Sequence, residues 1–153
     1  MKWKQMSMQV LLISVFQFTV YQLQAQAPNN NIQKEKYHFS LGTQDTAAGY
    51  AQVIKVDNVI YVSGTVCLQL NEKDFRYAYK VIQKSLERFG ATIQNVVKEN
   101  INTTDISAME QLNIYRKEIY KGDYPTSTWL QVTRLLLPDA KLEIEVVAHL
   151  PKG

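Results

Sequence analysis

One cysteine, Cys67, and two histidines, His38 and His149, are the only thiol and imidazole side chains in 153 residues. A lone cysteine closes no intramolecular disulfide, so an oxidising compartment adds nothing to stability through bridges. So few residues make no Cys/His cluster of zinc spacing, and neither a metal nor a cofactor is expected. Both histidines read as ordinary strand residues. Basic residues are dispersed, with 17 Lys+Arg against 14 Asp+Glu and no basic block, which argues against nucleic acid as a partner. No apolar run reaches the roughly 20 residues that a membrane-crossing helix needs. A content of 46% hydrophobic and 20% charged residues rules out wholesale disorder. The length gives room for one domain with a real core, but not for two.

The N-terminus differs in kind from the rest. Lys2 and Lys4 precede an apolar run from Val10 to Tyr21, and small residues follow at Ala25 and Ala27. A positive start, a short apolar run and a small-residue exit are the parts of a secretory signal peptide, here residues 1–25. An uncleaved anchor is the alternative, which Gln17, Thr19, Gln22 and Gln24 weaken. A cut after Ala27 would place Pro28 beside the scissile bond, where its fixed φ fits an extended protease cleft poorly. Cleavage after Ala25 is therefore expected, giving an exported product, periplasmic or secreted, with no stable membrane insertion. It removes two lysines and no acid, leaving 15 basic and 14 acidic side chains, a net +1. The basic character thus belongs partly to the export signal.

Residues 26–36 (QAPNNNIQKEK) are polar and read as a flexible lead, with the folded domain spanning 37–153. Tyr50–Val56 and Val59–Val62 form β-rich runs around Asp57-Asn58, a hairpin signal, with Gly64 ending the second strand. From Asp74 to Phe89 the apolar positions Phe75, Ala78, Ile82, Leu86 and Phe89 fall at helical spacing, with Asp74 as N-cap and Gly90 as stop. Residues 96–103 form a strand that Lys98, Glu99 and Asn100 interrupt. A second helix spans about Ser107 to Lys121 and stops at Gly122, with Pro125 beyond. Trp129–Leu136 and Lys141–Leu150 complete the strands around Pro138-Asp139-Ala140. Leu142, Ile144, Val146, Ala148 and Leu150 share one face of the last strand, and Glu143 and Glu145 the other. Two helices cover one face of so small a sheet. The other face, carrying Trp129, Leu135, Val147 and two glutamates, is expected to bury itself against another subunit.

Five stretches in this order resemble the Rid (reactive intermediate deaminase, YjgF-like) family: AGYAQVIKVDNVIYVSG (48–64), LERFGA (86–91), VVKENINTTDI (96–106), YPTST (124–128) and LEIEVVA (142–148). Each is weak alone; their order and spacing are specific and span nearly the whole mature domain. The resemblance implies an α+β, chorismate-mutase-like fold with a mixed sheet and two helices on one face. It also implies a homotrimer with ligand clefts at the subunit interfaces. Deaminases of the family hydrolyse 2-imino or enamine acids without metal or cofactor, because the imine carbon is already electrophilic. The protein has only to hold the carboxylate, place water and transfer protons. The holder is an arginine, whose planar fork fixes a carboxylate bidentately.

By the family's pattern that arginine stands two residues after Pro125, where this chain has Ser127. Thr128 matches a family serine, and Trp129 stands where many deaminases have cysteine. Tyr50 matches a cleft tyrosine, Ser63 a serine at the end of the hairpin, and Glu143 a glutamate that positions water. Asn113 is aligned with a family asparagine across a shorter helix-to-loop spacing. Each has a plainer role available: strand packing for Tyr50, turn shaping for Ser63, solvated or interface charge for Glu143, and local backbone bonding for Ser127 and Thr128. Arg116 is the better candidate for a substitute cation, because Arg134 has the opposite parity from Trp129. Asn102-Thr103-Thr104 fits a glycosylation sequon, a match that arises easily by chance.

Three functions follow: an exported trimer that binds or hydrolyses a small molecule without standard deaminase activity, a deaminase using Arg116, or a non-catalytic binding or structural trimer. N-terminal sequencing of the native protein is expected to begin at Gln26; an intact Met1 in a cytosolic fraction would refute export.

Overall fold

The structure, a computed structural model, describes residues 31–38 and 47–151. The chain divides into Met1–Ile32 and Gln33–Gly153, and the fold below is that of the second unit. The signal peptide and its cleavage site lie outside the described residues. Among the described residues no helix is long and apolar enough to cross a membrane.

The elements are β1 (Glu35–Tyr37), β2 (Val53–Val56), β3 (Val59–Cys67), α1 (Glu72–Glu87), a 3-10 turn (Ile93–Asn95), β4 (Val96–Thr103), α2 (Ile106–Tyr120), β5 (Thr126–Gln131) and β6 (Leu142–His149). One sheet of order β1-β2-β3-β6-β4-β5 results. It is antiparallel except for β4 and β5, which α2 connects in parallel. The sheet begins two residues inside the segment expected to be a flexible lead, because Glu35 and Lys36 pair with Lys55 and Ile54.

The Asp57-Asn58 hairpin forms, with Asp57 at a φ of 52°, a left-handed conformation that Asp tolerates. Gly64 does not end β3. The register with β6 shifts between Val62 and Thr65, and pairing resumes as far as Cys67, so the glycine marks a bulge. Asn71 rather than Asp74 caps α1, its side chain accepting from the Asp74 N–H at 2.9 Å. Asp74 sits within the first turn, where a negative charge suits the helix dipole. Asp105 caps α2 in the same way, accepting from the Ala108 N–H at 3.0 Å. That helix closes through Lys121 and Gly122 at φ of 53° and 93°.

β5 lies earlier than its apolar residues suggest. Thr126, Ser127 and Thr128 pair with Lys98, Glu99 and Asn100, and the chain leaves the sheet after Gln131. Arg134 is thus beyond the strand, and its parity with Trp129 carries no meaning.

In β6, Leu142, Ile144, Val146 and Ala148 are buried, while Glu143, Glu145 and Val147 take the opposite face. This strand lies between β3 and β4, so its apolar side is the floor on which α1 places Phe75, Ala78, Ile82 and Leu86. Register partners share a face, and Trp129 is level with Ile101, which pairs in turn with Ile144. Trp129 therefore lies on the helix-covered face, and the expectation of an open-face tryptophan is corrected. Leu135 is buried in the loop after β5. Only Val147 of the expected three stays on the open face, where Tyr61, Lys98, Asn100 and Glu145 join it around a shallow depression of about 220 Å³.

Candidate functional site

β3 outruns its hairpin partner. The Ser63 N–H donates to Gln52 O at 2.9 Å, and past that bond β3 pairs only with β6 among the described residues. A cavity of about 440 Å³ opens along this edge. That is within the range of about 300–1,000 Å³ usual for small-molecule pockets. Tyr50, Ser63 and Glu143 line it, with Tyr77 and Val81 of α1 and the run Leu135, Leu136 and Leu137 as apolar walls. The Ser63 hydroxyl donates to Ala51 O at 2.7 Å, which fixes the chain as it enters β2. Gly64 lies under the Glu143 side chain, and any Cβ there would overlap the carboxylate. Glu143 is half-buried; burial first, and then Glu145, push its carboxyl above the usual range. Thr65 also lines the cavity, and its buried hydroxyl has no hydrogen-bond partner among the described residues.

A second polar group gathers on the helix-covered face around Glu99, which has no exposed surface. Its Oε1 accepts from the hydroxyls of Tyr79 and, at 2.8 Å, Tyr120. Its Oε2 accepts from Arg116 Nε at 2.7 Å and from the Ser127 hydroxyl at 2.8 Å. Four donors meet the roughly four lone-pair sites of a carboxylate. The Ser127 oxygen accepts in turn from Trp129 Nε1 at 2.7 Å. Burial, followed by the negative charge of Glu99, raises both tyrosines well above their ordinary range, so both stay protonated and keep donating. For Arg116 burial works against the charge, but Glu99 outweighs it and keeps the guanidinium protonated. Its Cζ lies 5.0, 6.0 and 5.7 Å from the ring centres of Tyr120, Tyr124 and Trp129.

The structure thus divides the residues singled out from the sequence. Tyr50, Ser63 and Glu143 share the cavity. Arg116, Ser127 and Trp129 surround Glu99 and do not line it. Thr128 is exposed on the open face, level with Asn100. Asn113 lies on α2 with its Oδ1 buried and unpartnered among the described residues, one turn before Arg116. β3 and β5 are three strand spacings apart, about 14 Å, so within one chain the two groups are separate. Sequence reasoning missed Glu99, Tyr79, Tyr120 and Thr65. Leu112, Arg116 and Tyr120 do recur every four residues, placing Arg116 on the buried stripe of α2. Cys67 is no nucleophile, since burial and then Asp74 push its thiol up to about 12. Among the described residues no group of His, Cys, Asp and Glu is placed to hold a metal ion.

The family model described as Endoribonuclease L-PSP matches residues 42–150. The chain belongs to this family, the YjgF/Rid family. A YjgF/YER057c/UK114 member from Mycobacterium tuberculosis is 24% identical with a TM-score of 0.70, over 77% of this chain and 100% of that one. The Rid protein YyfA from Yersinia pestis is 26% identical with a TM-score of 0.66, over 77% and 100%. RidA from an Antarctic Psychrobacter is 27% identical with a TM-score of 0.62, over 80% and 100%. Family and fold together account for the α+β architecture of one mixed sheet with two helices, and they support a small-molecule-binding or deaminase-like role.

The Glu99 group can be tested by stability. Glu99→Ala leaves Arg116 charged and buried without its counter-ion, which should cost about 3–5 kcal/mol. Urea unfolding should show a lower midpoint at unchanged slope. A loss below about 1 kcal/mol, the worth of an exposed pair, would mean that Glu99 is not buried as described.

Proposed function

We propose that the mature chain is an exported Rid trimer that binds a small molecule in clefts between subunits and has little or no 2-imino acid deaminase activity. The observation that carries this reading is the position of Ser127. It stands where the family pattern has its carboxylate-binding arginine, and its hydroxyl is engaged between Glu99 and Trp129. The trimer follows from the family resemblance and from the division of the site residues. A cleft that uses both groups has to take the Tyr50–Ser63–Glu143 half from one subunit and the α2–β5 half from its neighbour.

In imine hydrolysis, water adds to the C=N carbon and a proton reaches the nitrogen; the carbinolamine then expels ammonia and leaves a carbonyl. Glu143, half-buried and raised by its surroundings, is placed to hold that water and take its proton. What the cleft lacks is the anchor for the carboxylate of the substrate. Arg116 is a poor substitute, since its Nε is bonded to Glu99 and the residue is only 6% exposed. The family description names an endoribonuclease, yet among the described residues no lysine, arginine or histidine lines the cavity to face a phosphate.

A bidentate charge-assisted pair is worth about 1.5–3 kcal/mol. Its loss from a transition state corresponds to roughly ten- to a hundredfold in rate. With 2-iminobutanoate or 2-aminoacrylate generated in situ by an oxidase or a dehydratase, the mature protein should release ammonia barely above the uncatalysed rate. Turnover equal to that of an arginine-containing family member would overturn the reading. Ser127→Arg should restore little, because the new guanidinium would compete with Arg116 for Glu99 and Trp129 would still shape that half of the cleft. For assembly, ultracentrifugation of the mature form at micromolar concentration should give a trimer; a monomer would count against shared clefts.

A further inference from the structure

We propose that the cavity beside β3 takes an ammonium ion with an apolar tail, with Glu143 as counter-ion. The inference rests on the reading of this cavity as the ligand site and names the class of ligand. Two observations lead to it. The first is charge: among the described residues Glu143 is the one ionisable carboxylate in the lining, and no lysine, arginine or histidine is present there. On the side of a neighbouring subunit, the cation beside the family's arginine position is Arg116, whose Nε is bonded to Glu99 and whose Nη2, without a partner among the described residues, is buried. A carboxylate ligand entering such a cavity meets a like charge and finds nothing to pair with it, whereas a cation finds an acceptor.

The second observation is the wall. Val81, Leu135, Leu136 and Leu137 are apolar, and Tyr50 and Tyr77 add ring faces of the kind that attract organic cations. Leu136 is 77% exposed and Leu137 47%, apolar surface in search of cover that an alkyl or aryl tail would supply.

Calorimetry on the mature protein at neutral pH with three matched probes tests this: 2-phenylethylamine, 2-phenylethanol and 3-phenylpropanoate. The amine should bind most tightly and the carboxylate least. Glu143→Gln should weaken the amine by about ten- to a hundredfold, the worth of a charge-assisted bond, and leave the alcohol unchanged. Retained alcohol binding by Glu143→Gln separates loss of the ligand contact from a folding defect. Glu110→Gln, on the exposed side of α2 and outside the cavity lining, should leave all three affinities unchanged. Preference for the carboxylate, or amine binding indifferent to Glu143→Gln, overturns the ammonium assignment while the cavity remains the ligand site. Failure of all three probes to bind, with Tm unmoved by any of them, overturns the assignment and the ligand-site reading together.

Discussion

Glu99 is an anion with no contact to water, and removing a carboxylate from water costs several kcal/mol unless the fold replaces its hydration. The replacement comes from four donors on three elements: Tyr79 on α1, Arg116 and Tyr120 on α2, and Ser127 on β5, all converging on one β4 residue. Neither helix can slide along the sheet without leaving a lone pair or a guanidinium unpaired in the interior. Tyr79 and Tyr120 also meet edge to face at 5.9 Å, so the polar cluster and the helix–helix contact form one packed unit. The cluster adds little net energy compared with an apolar core of equal volume, but it admits few arrangements.

That constraint decides what residue 127 does. A side chain there shares the face of Glu99 and the aromatic rings around Arg116. With serine, the hydroxyl fills the last acceptor site on Glu99 and accepts from Trp129, so the first half of β5 is tied to the buried carboxylate. With arginine, a second cation would compete with Arg116 for a carboxylate that already has four donors. Trp129 and Arg116 belong to the same solution, since the indole covers the guanidinium and donates to the serine that completes the set.

The strands were legible wherever polar and apolar residues alternate. β6 reads directly because Leu142, Ile144, Val146 and Ala148 face a helix layer while Glu143 and Glu145 face outwards. Residues 96–103 read poorly for the opposite reason: a charge at a core position looks like an interruption of the pattern. Glu99 has the parity of Ile101 and Thr103, and only its distant partners make that position tolerable for it. β5 was displaced towards Trp129–Leu136 because its apolar residues lie at its end, whereas its ladder begins with Thr126 and depends on β4. Of the site, Tyr50, Ser63 and Glu143 were found through resemblance. Thr65 was not, since a threonine in a β-rich run gives no sign that its hydroxyl lacks a partner.

The bulge at Ser63-Gly64 links fold to site. A strand that stopped at Gly64 would leave no edge past the hairpin and no wall for the cavity. Because β3 resumes its pairing with β6 at Thr65, the strand carries Thr65 and Val66 past the end of β2. Gly64 lacks the atom that would obstruct Glu143, so the carboxylate folds over the backbone and turns towards the same edge. Burial there makes its charge more costly, and Glu145 on the same face adds to that cost. A carboxylate held under such conditions gains more from a nearby cation than one in open water, because the interaction is screened less. The bulge, the glycine and the half-buried acid therefore act together, and none of the three needs the α2–β5 group to give this edge its negative character.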